Sequence, residues 1–369
     1  MKRLTIHPAG RPWLCVAVTA AVLIVSSAAF AAPPAAPPVS FQKNVGPLNA
    51  VPMRTAPPPD LAKAWAEDAT RELNKIPAPY RFAIKTAVDY RSTIDGTWTA
   101  LDDGSRLWRL RVTSPGALSM ILTFDKFSLA DGASFWVYSQ DGSDILGPYS
   151  PADAKDGRFW TPLLKGDLAV VELHEPAASV GQSEIAISDV SHGYRGFFDA
   201  FKQGSCNIDT VCSEANAWRD EVRSIVMYTL NGIDRCTGVM VNNTAEDAKP
   251  YMLTAEHCSF SGSYPDVTTY FNFESPTCGA LSGGVRNQSV NGATLRAIDE
   301  ISDYALLELD SSPPAEFGAY FSGWDISDTA MPSGVAAIHH PSVDEKAISF
   351  ENDPVQESPD SDPWPSTHW

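Results

Sequence analysis

The chain has 369 residues, 44% of them hydrophobic and 20% charged, enough for two or three globular domains. Its 45 acidic against 27 basic residues give a formal net charge of −18. That balance excludes a nucleic-acid binder, which needs a basic footprint, and speaks against docking on anionic membranes.

The first 31 residues read as an export signal. Lys2, Arg3 and Arg11 precede the apolar run "VAVTAAVLIV", and Ala29-Phe30-Ala31 forms a small-x-small cleavage pattern. The apolar run is too short for a lasting membrane span. The localisation expected is therefore secreted, extracellular or periplasmic. Residues 32–59 are rich in proline and alanine and read as an extended, loosely held linker. Asp60 then caps "LAKAWAEDATREL", where Leu61, Trp65, Ala69 and Leu73 recur every four residues and predict one apolar helix face.

From about 82 to 190 the period changes to two. "RLWRLRV", "SMILTF", "SFWVYS" and "LAVVELH" read as strands. Asp-Gly pairs at 95–96, 103–104, 131–132, 141–142 and 156–157 supply tight turns. Residues 60–203 are thus predicted to form one domain, a short helix followed by an antiparallel β-sandwich. His174 and His192 stand isolated within it and read as packing residues. Residues 191–205 read as a junction.

Five of the six cysteines follow the junction: Cys206, Cys212, Cys236, Cys258 and Cys278. Export permits disulfides, and an odd number leaves one thiol over. This region is again strand-rich, with "RSIVMYTL", "CTGVMVNN", "PYMLTAEHC", "TTYFNF" and "YALLELD". It also carries the chemistry. His257 lies after a short apolar run and before Cys258, and Asp303 stands just before a strand. A histidine followed in the chain by an aspartate is the order of a two-barrel serine protease. There the histidine takes the serine proton and the aspartate fixes the imidazole tautomer.

The run "GSCNIDTVC", "CTGVMVNNTAEDAKPYMLTAEHC", "SDYALLELD", "GWD" and "AIHHPSVDEKAIS" resembles the bacterial lysyl endopeptidase family, secreted trypsin-like serine proteases. The resemblance covers residues 204–349. It implies an all-β fold, with the N-terminal β-sandwich-like domain as propeptide and a double β-barrel protease domain over 204–350. It implies His257 as general base, Asp303 as its orienting carboxylate, and the disulfides Cys236–Cys258 and Cys212–Cys278. Polypeptides after lysine are the implied substrates, with no cofactor and no metal. The same likeness places activation near Lys202. In the family the first cysteine of the mature enzyme pairs late in the second barrel, so Cys206 is expected to be an unpaired thiol.

No Gly-x-Ser-Gly occurs in the 369 residues. Ser282 precedes Asp303 in the chain, and Ser322 and Ser333 follow it too closely to be the nucleophile. The expectation is an incomplete protease domain, with only the first barrel and the start of the second, followed by an acidic, proline-broken tail at 351–369. Such a chain would lack the nucleophile, oxyanion hole and specificity pocket and be inactive. Two other readings compete. One is a non-catalytic inhibitor or chaperone that binds a related protease through the N-terminal domain. The other is a metal site from His257, His339 and His340, which "HHP" does not favour because neighbours on a strand face opposite ways.

Overall fold

The structure, a computed structural model, describes residues 36–354 apart from 75, 77, 197–205, 259–265, 281 and 326–331. The leader, Lys202 and the tail from 355 onward lie outside the described residues. Those described residues form four sheets and few helices.

Two of the sheets make the N-terminal domain. One runs in the order Met53–Thr55, Arg106–Thr113, Leu168–Glu175, Ser134–Ser139, Ile145–Tyr149, and Thr97–Ala100 also pairs with Arg106–Thr113. The other runs Leu164–Lys165, Ser119–Ser128, Glu184–Gly193, Ala83–Arg91. They face each other across one apolar core that includes Trp108, Leu122, Phe124, Phe127, Phe135 and Val171. The alternation of "RLWRLRV" is what makes this work. Trp108, Leu110 and Val112 point into the core, while Arg109 and Arg111 point away and hydrogen-bond the carbonyls of Val45 and Val51. At each of the five Asp-Gly pairs the glycine has positive φ, and at 156–157 Asp156 does too (φ 50°), so that pair turns the Lys155–Arg158 hairpin.

The third sheet is an eight-stranded one that curls. Its order is Ser289–Asn291, Val267–Tyr270, Ile225–Leu230, Asp234–Val241, Tyr251–Thr254, Tyr304–Leu309, Ala293–Asp299, with Tyr80–Arg81 pairing at the side of Asp234–Val241. The first and last strands of that path are separated in the chain by Gly292 alone. A flat sheet cannot place neighbours at opposite ends, so the sheet must close on itself as a barrel. Gly292 allows the bend with φ +87°, its N–H donating to Val267 O and its carbonyl accepting from Asp310 N. Met240, Met252, Val267, Phe271 and Leu307 fill the interior. A three-stranded sheet follows, Ile208–Asp209, Ala347–Glu351, Val335–His339.

Three sequence expectations change. Residues 36–59 are not a loose linker. Met53–Thr55 pairs in parallel with Arg111–Thr113, Val45, Val51 and Ala56 are buried, and Ser40 N donates to the buried Glu172 carboxylate at 3.0 Å. Proline suits such an edge segment because only one side of it needs backbone donors. The helix Leu61–Leu73 has its cap, Asp60 Oδ1 accepting from Lys63 N, but not the expected face: Trp65 and Leu73 are 48% and 83% exposed. Ala64 and Asp68 are buried instead. Asp68 pairs with Arg81 at 2.7 Å and Arg195 at 2.9 Å, and accepts from Tyr194 Oη. Finally, Ser191–Gly193 of the expected junction ends the strand Glu184–Gly193 and is buried.

Buried charge also lies behind the three-stranded sheet. His340, Asp344, Glu345 and Lys346 are all less than 4% exposed. Lys346 Nζ donates to Val222 O at 2.9 Å and faces Glu274 at 3.8 Å. His340 stacks on Phe273 and its Nδ1 donates to the carbonyl of Asp344 at 2.7 Å. Burial pushes His340 down to about 3, whereas burial and Glu345 push the Asp344 carboxyl up.

Two outcomes follow. Asp68→Ala leaves Arg81 and Arg195 only the more exposed Glu67 and Glu72 as carboxylate partners and should cost about 1–3 kcal/mol of stability, read by urea unfolding; an unchanged midpoint would show that Asp68 does not dock the helix. For His340, an unfolded imidazole takes up a proton near pH 6.5, which the folded one refuses down to about pH 3. Acidification across that window therefore favours unfolding. Asp344 works in the reverse sense, losing stability as pH rises past the ordinary carboxylate range. Across about pH 6.5–4.5 the two groups oppose each other, so His340→Asn leaves Asp344 unopposed and should shift the slope so that acidification stabilises more, or destabilises less, than in the unsubstituted chain; an unchanged slope would show that the imidazole does not set it.

Candidate active site

Asp303 and His257 meet because of a ladder. Tyr251–Thr254 pairs antiparallel with Tyr304–Leu309, Thr254 opposite Ala305. The residues just beyond that pair, Asp303 on one strand and the turn Glu256–Cys258 on the other, must then lie side by side. Asp303 Oδ2 accepts from His257 Nδ1 at 2.7 Å, and Asp303 Oδ1 accepts from the His257 backbone N at 2.8 Å. Both oxygens of one carboxylate are therefore used on one residue. Asp303 adopts a left-handed backbone, φ 47°, which aspartate tolerates better than most residues and which is found where a site constrains its chain. The aspartate side chain is 13% exposed and the histidine 35%.

The turn is braced from two directions. The disulfide Cys236–Cys258 ties it to the strand Asp234–Val241, with Cα atoms 6.4 Å apart. Closing a loop of that size contributes roughly 3 kcal/mol on the chain-entropy estimate. Thr254 Oγ1 donates to Thr237 O at 2.8 Å and also bonds Tyr228 Oη at 2.9 Å. Sequence reading missed Thr237, Thr254 and Tyr228 as supports. Thr254 lies within "TAEHC", but only the folded register reveals its partners. Cys212 and Cys278 form a second disulfide, and Cys206 is an exposed free thiol.

The other singled-out residues are elsewhere. Ser322 bridges to Val241 and donates to Ser224 Oγ, at the end of the strand Asp234–Val241 away from the His257 turn. Ser282 donates to Ala280 O in an exposed stretch, and Ser333 is exposed. His339 and His340 flank the end of the strand Val335–His339, and His340 is taken up by Asp344 and Phe273. Among the described residues no group of three or more His, Cys, Asp or Glu side chains is arranged to hold a metal ion. His192 Nδ1 lies 2.8 Å from Ser114 Oγ inside the N-terminal domain, and His174 is half-buried on its strand.

The sequence matches two family models in order along the chain. The lysyl endopeptidase N-terminal domain matches residues 55–194, and the lysyl endopeptidase C-terminal domain matches residues 201–369. A curated relative, the lysyl endopeptidase of Pseudomonas aeruginosa PAO1, is 28% identical over 302 residues, covering 73% of this chain and 63% of its own length. The chain thus spans less than two thirds of that relative. Among solved structures, Rv3671c of M. tuberculosis H37Rv in an inactive form aligns at 15% identity and a TM-score of 0.27, over 41% of this chain and 60% of that one. Carrying both domains of that one family in sequence, the chain belongs to the lysyl endopeptidase family.

Proposed function

We propose that this chain is the precursor of a secreted serine endopeptidase that cuts polypeptides after lysine, with His257 as general base and Asp303 as its orienting carboxylate. The observation that carries the reading is the doubly bonded pair. An Nδ1 committed to a carboxylate leaves Nε2 as the basic nitrogen, free to take the proton of an attacking hydroxyl. The second bond, to the His257 backbone, removes the ring's freedom to swing away. Lysine preference follows the Pseudomonas aeruginosa relative, a lysyl endopeptidase.

In this reading the N-terminal domain is a propeptide, severed from the protease domain by a cut within 197–205. The leader at 1–31 directs export, and the described residues contain no helix long and apolar enough to cross a membrane. Ser282, Ser322 and Ser333 lie away from the dyad, so none of the three is read as its hydroxyl.

The test joins the chain to the second-barrel segment of the Pseudomonas aeruginosa relative and confirms both disulfides by mass mapping. The joined protein should cleave a lysyl peptide. His257→Ala should lower kcat of the joined protein by at least about 10⁴-fold, as removal of a triad member does. Cleavage that survives His257→Ala, or a joined protein with both disulfides formed and no cleavage, would overturn the reading.

A further inference from the structure

The segment ahead of the first sandwich strand lies as a strap over the outer face of the sheet that holds Ser134–Ser139 and Leu168–Glu175. Val39 and Leu48 pack there on Trp136, Tyr138 and Val170. Trp136 Nε1 donates to Ala36 O at 3.1 Å, and Ser40 N donates to Glu172 Oε1 at 3.0 Å. Tyr138 Oη donates to Glu172 Oε2 at 2.9 Å and accepts from Ser40 Oγ at 3.0 Å. The Phe41 ring meets that of Tyr138 edge to face, with 5.0 Å between centres.

The two halves of the strap are held differently. Residues 44–56 carry the strand Met53–Thr55, which pairs with Arg111–Thr113, and Arg109 and Arg111 bond the carbonyls of Val45 and Val51. Residues 36–43 are held by the contacts to Trp136, Tyr138 and Glu172 and by the Lys43–Asp103 ion pair. Between the halves, Lys43 and Asn44 are both exposed. The one-turn helix Val39–Gln42 ends there, and the Lys43 backbone is extended, φ −118° and ψ 147°. A peptide bound as an added strand takes that same shape.

The other described lysines are protected. Lys63 lies in the helix Leu61–Leu73, and Lys85, Lys126 and Lys165 lie in paired strands. Lys155 exchanges both backbone hydrogen bonds with Arg158 across a tight turn. Lys249 is followed by Pro250, whose ring restricts the bond between them, and Lys346 is wholly buried. Reaching a bond inside a helix or a paired strand requires local unfolding, whereas an exposed loop bond is reached directly.

We propose that Lys43–Asn44 is a second processing bond: a lysine-directed endopeptidase hydrolyses it, and the piece ending at Lys43 then leaves and uncovers Trp136, Tyr138 and Glu172. Water gives its hydroxyl to the Lys43 carbonyl carbon and a proton to the Asn44 nitrogen as the peptide bond breaks. Residues 44–56 stay on their strand. Glu172, 0% exposed beneath the strap, loses the Ser40 N–H and faces solvent. The inference rests on the lysyl endopeptidase reading only where the cutting enzyme is another copy of this family's own product. Its test supplies the protease from outside, so its failure leaves the dyad's chemistry untouched, and a failure of that chemistry leaves the cut untouched.

The full chain, with both disulfides formed, is treated with a limiting amount of the Pseudomonas aeruginosa lysyl endopeptidase, and new N-termini are followed by mass mapping. Asn44 should appear as an N-terminus at least about tenfold faster than Ala64, Thr86, Phe127, Asp156 or Gly166. Lys43→Arg keeps a cation beside Asp103 and should abolish the Asn44 terminus. In the cut chain the peptide ending at Lys43 should separate on size exclusion. The Trp136 indole proton, read by NMR, should then exchange with solvent at least about tenfold faster than in Lys43→Arg. A first cut at any of the other five bonds overturns the processing site. A cut at Lys43 that leaves the peptide bound and the indole exchange unchanged overturns the release.

Discussion

One carboxylate fixes the candidate site of this molecule. Asp303 grips His257 at the backbone and at the ring, and it reaches both only because its own backbone is left-handed and because two antiparallel strands end together. Loss of the second bond would leave an imidazole free to change rotamer. Loss of the strand register would part the two residues altogether. The disulfide at Cys258 and the Thr254–Thr237 bond act on the same turn, so the geometry is fixed from the sheet side as well as from the aspartate.

The second theme is polar anchoring between apolar layers. The N-terminal sandwich has a conventional aromatic core, yet its helix docks through Asp68 and two arginines. Its contact with the barrel mixes an apolar cluster with one carboxylate facing two cations and two guanidiniums on a tyrosine ring. Such contacts fix direction as well as distance, which apolar burial does not. Arg195 belongs to both sets, bonding Asp68 and lying over Tyr80. The helix, the end of the last sandwich strand and the strand Tyr80–Arg81 are thereby coupled through one side chain.

Much of this was legible beforehand, for physical reasons that differ from element to element. The sandwich strands show in "RLWRLRV" and "LAVVELH" because one face is buried and period two is unavoidable. The turns show because Asp-Gly is cheap at positive φ. The pairing of His257 with Asp303 shows because the proposed chemistry would require a histidine and then an aspartate in that order along the chain. The helix face did not show. Period-four spacing singles out Trp65 and Leu73, whereas the docking force is a carboxylate whose arginines lie far along the sequence. Nor did the ordered segment at 36–59, where proline content concealed the buried valines between the prolines. A two-residue strand such as Tyr80–Arg81 carries no periodicity at all, and only the barrel edge it completes gives it meaning.

The tautomer of His257 is read by ¹⁵N-detected NMR of the imidazole without any substrate. The geometry requires that the neutral ring carry its proton on Nδ1, with Nε2 bare, and that Asp303→Ala abolish this preference. A neutral ring protonated mainly on Nε2, or one indifferent to Asp303→Ala, would contradict the dyad.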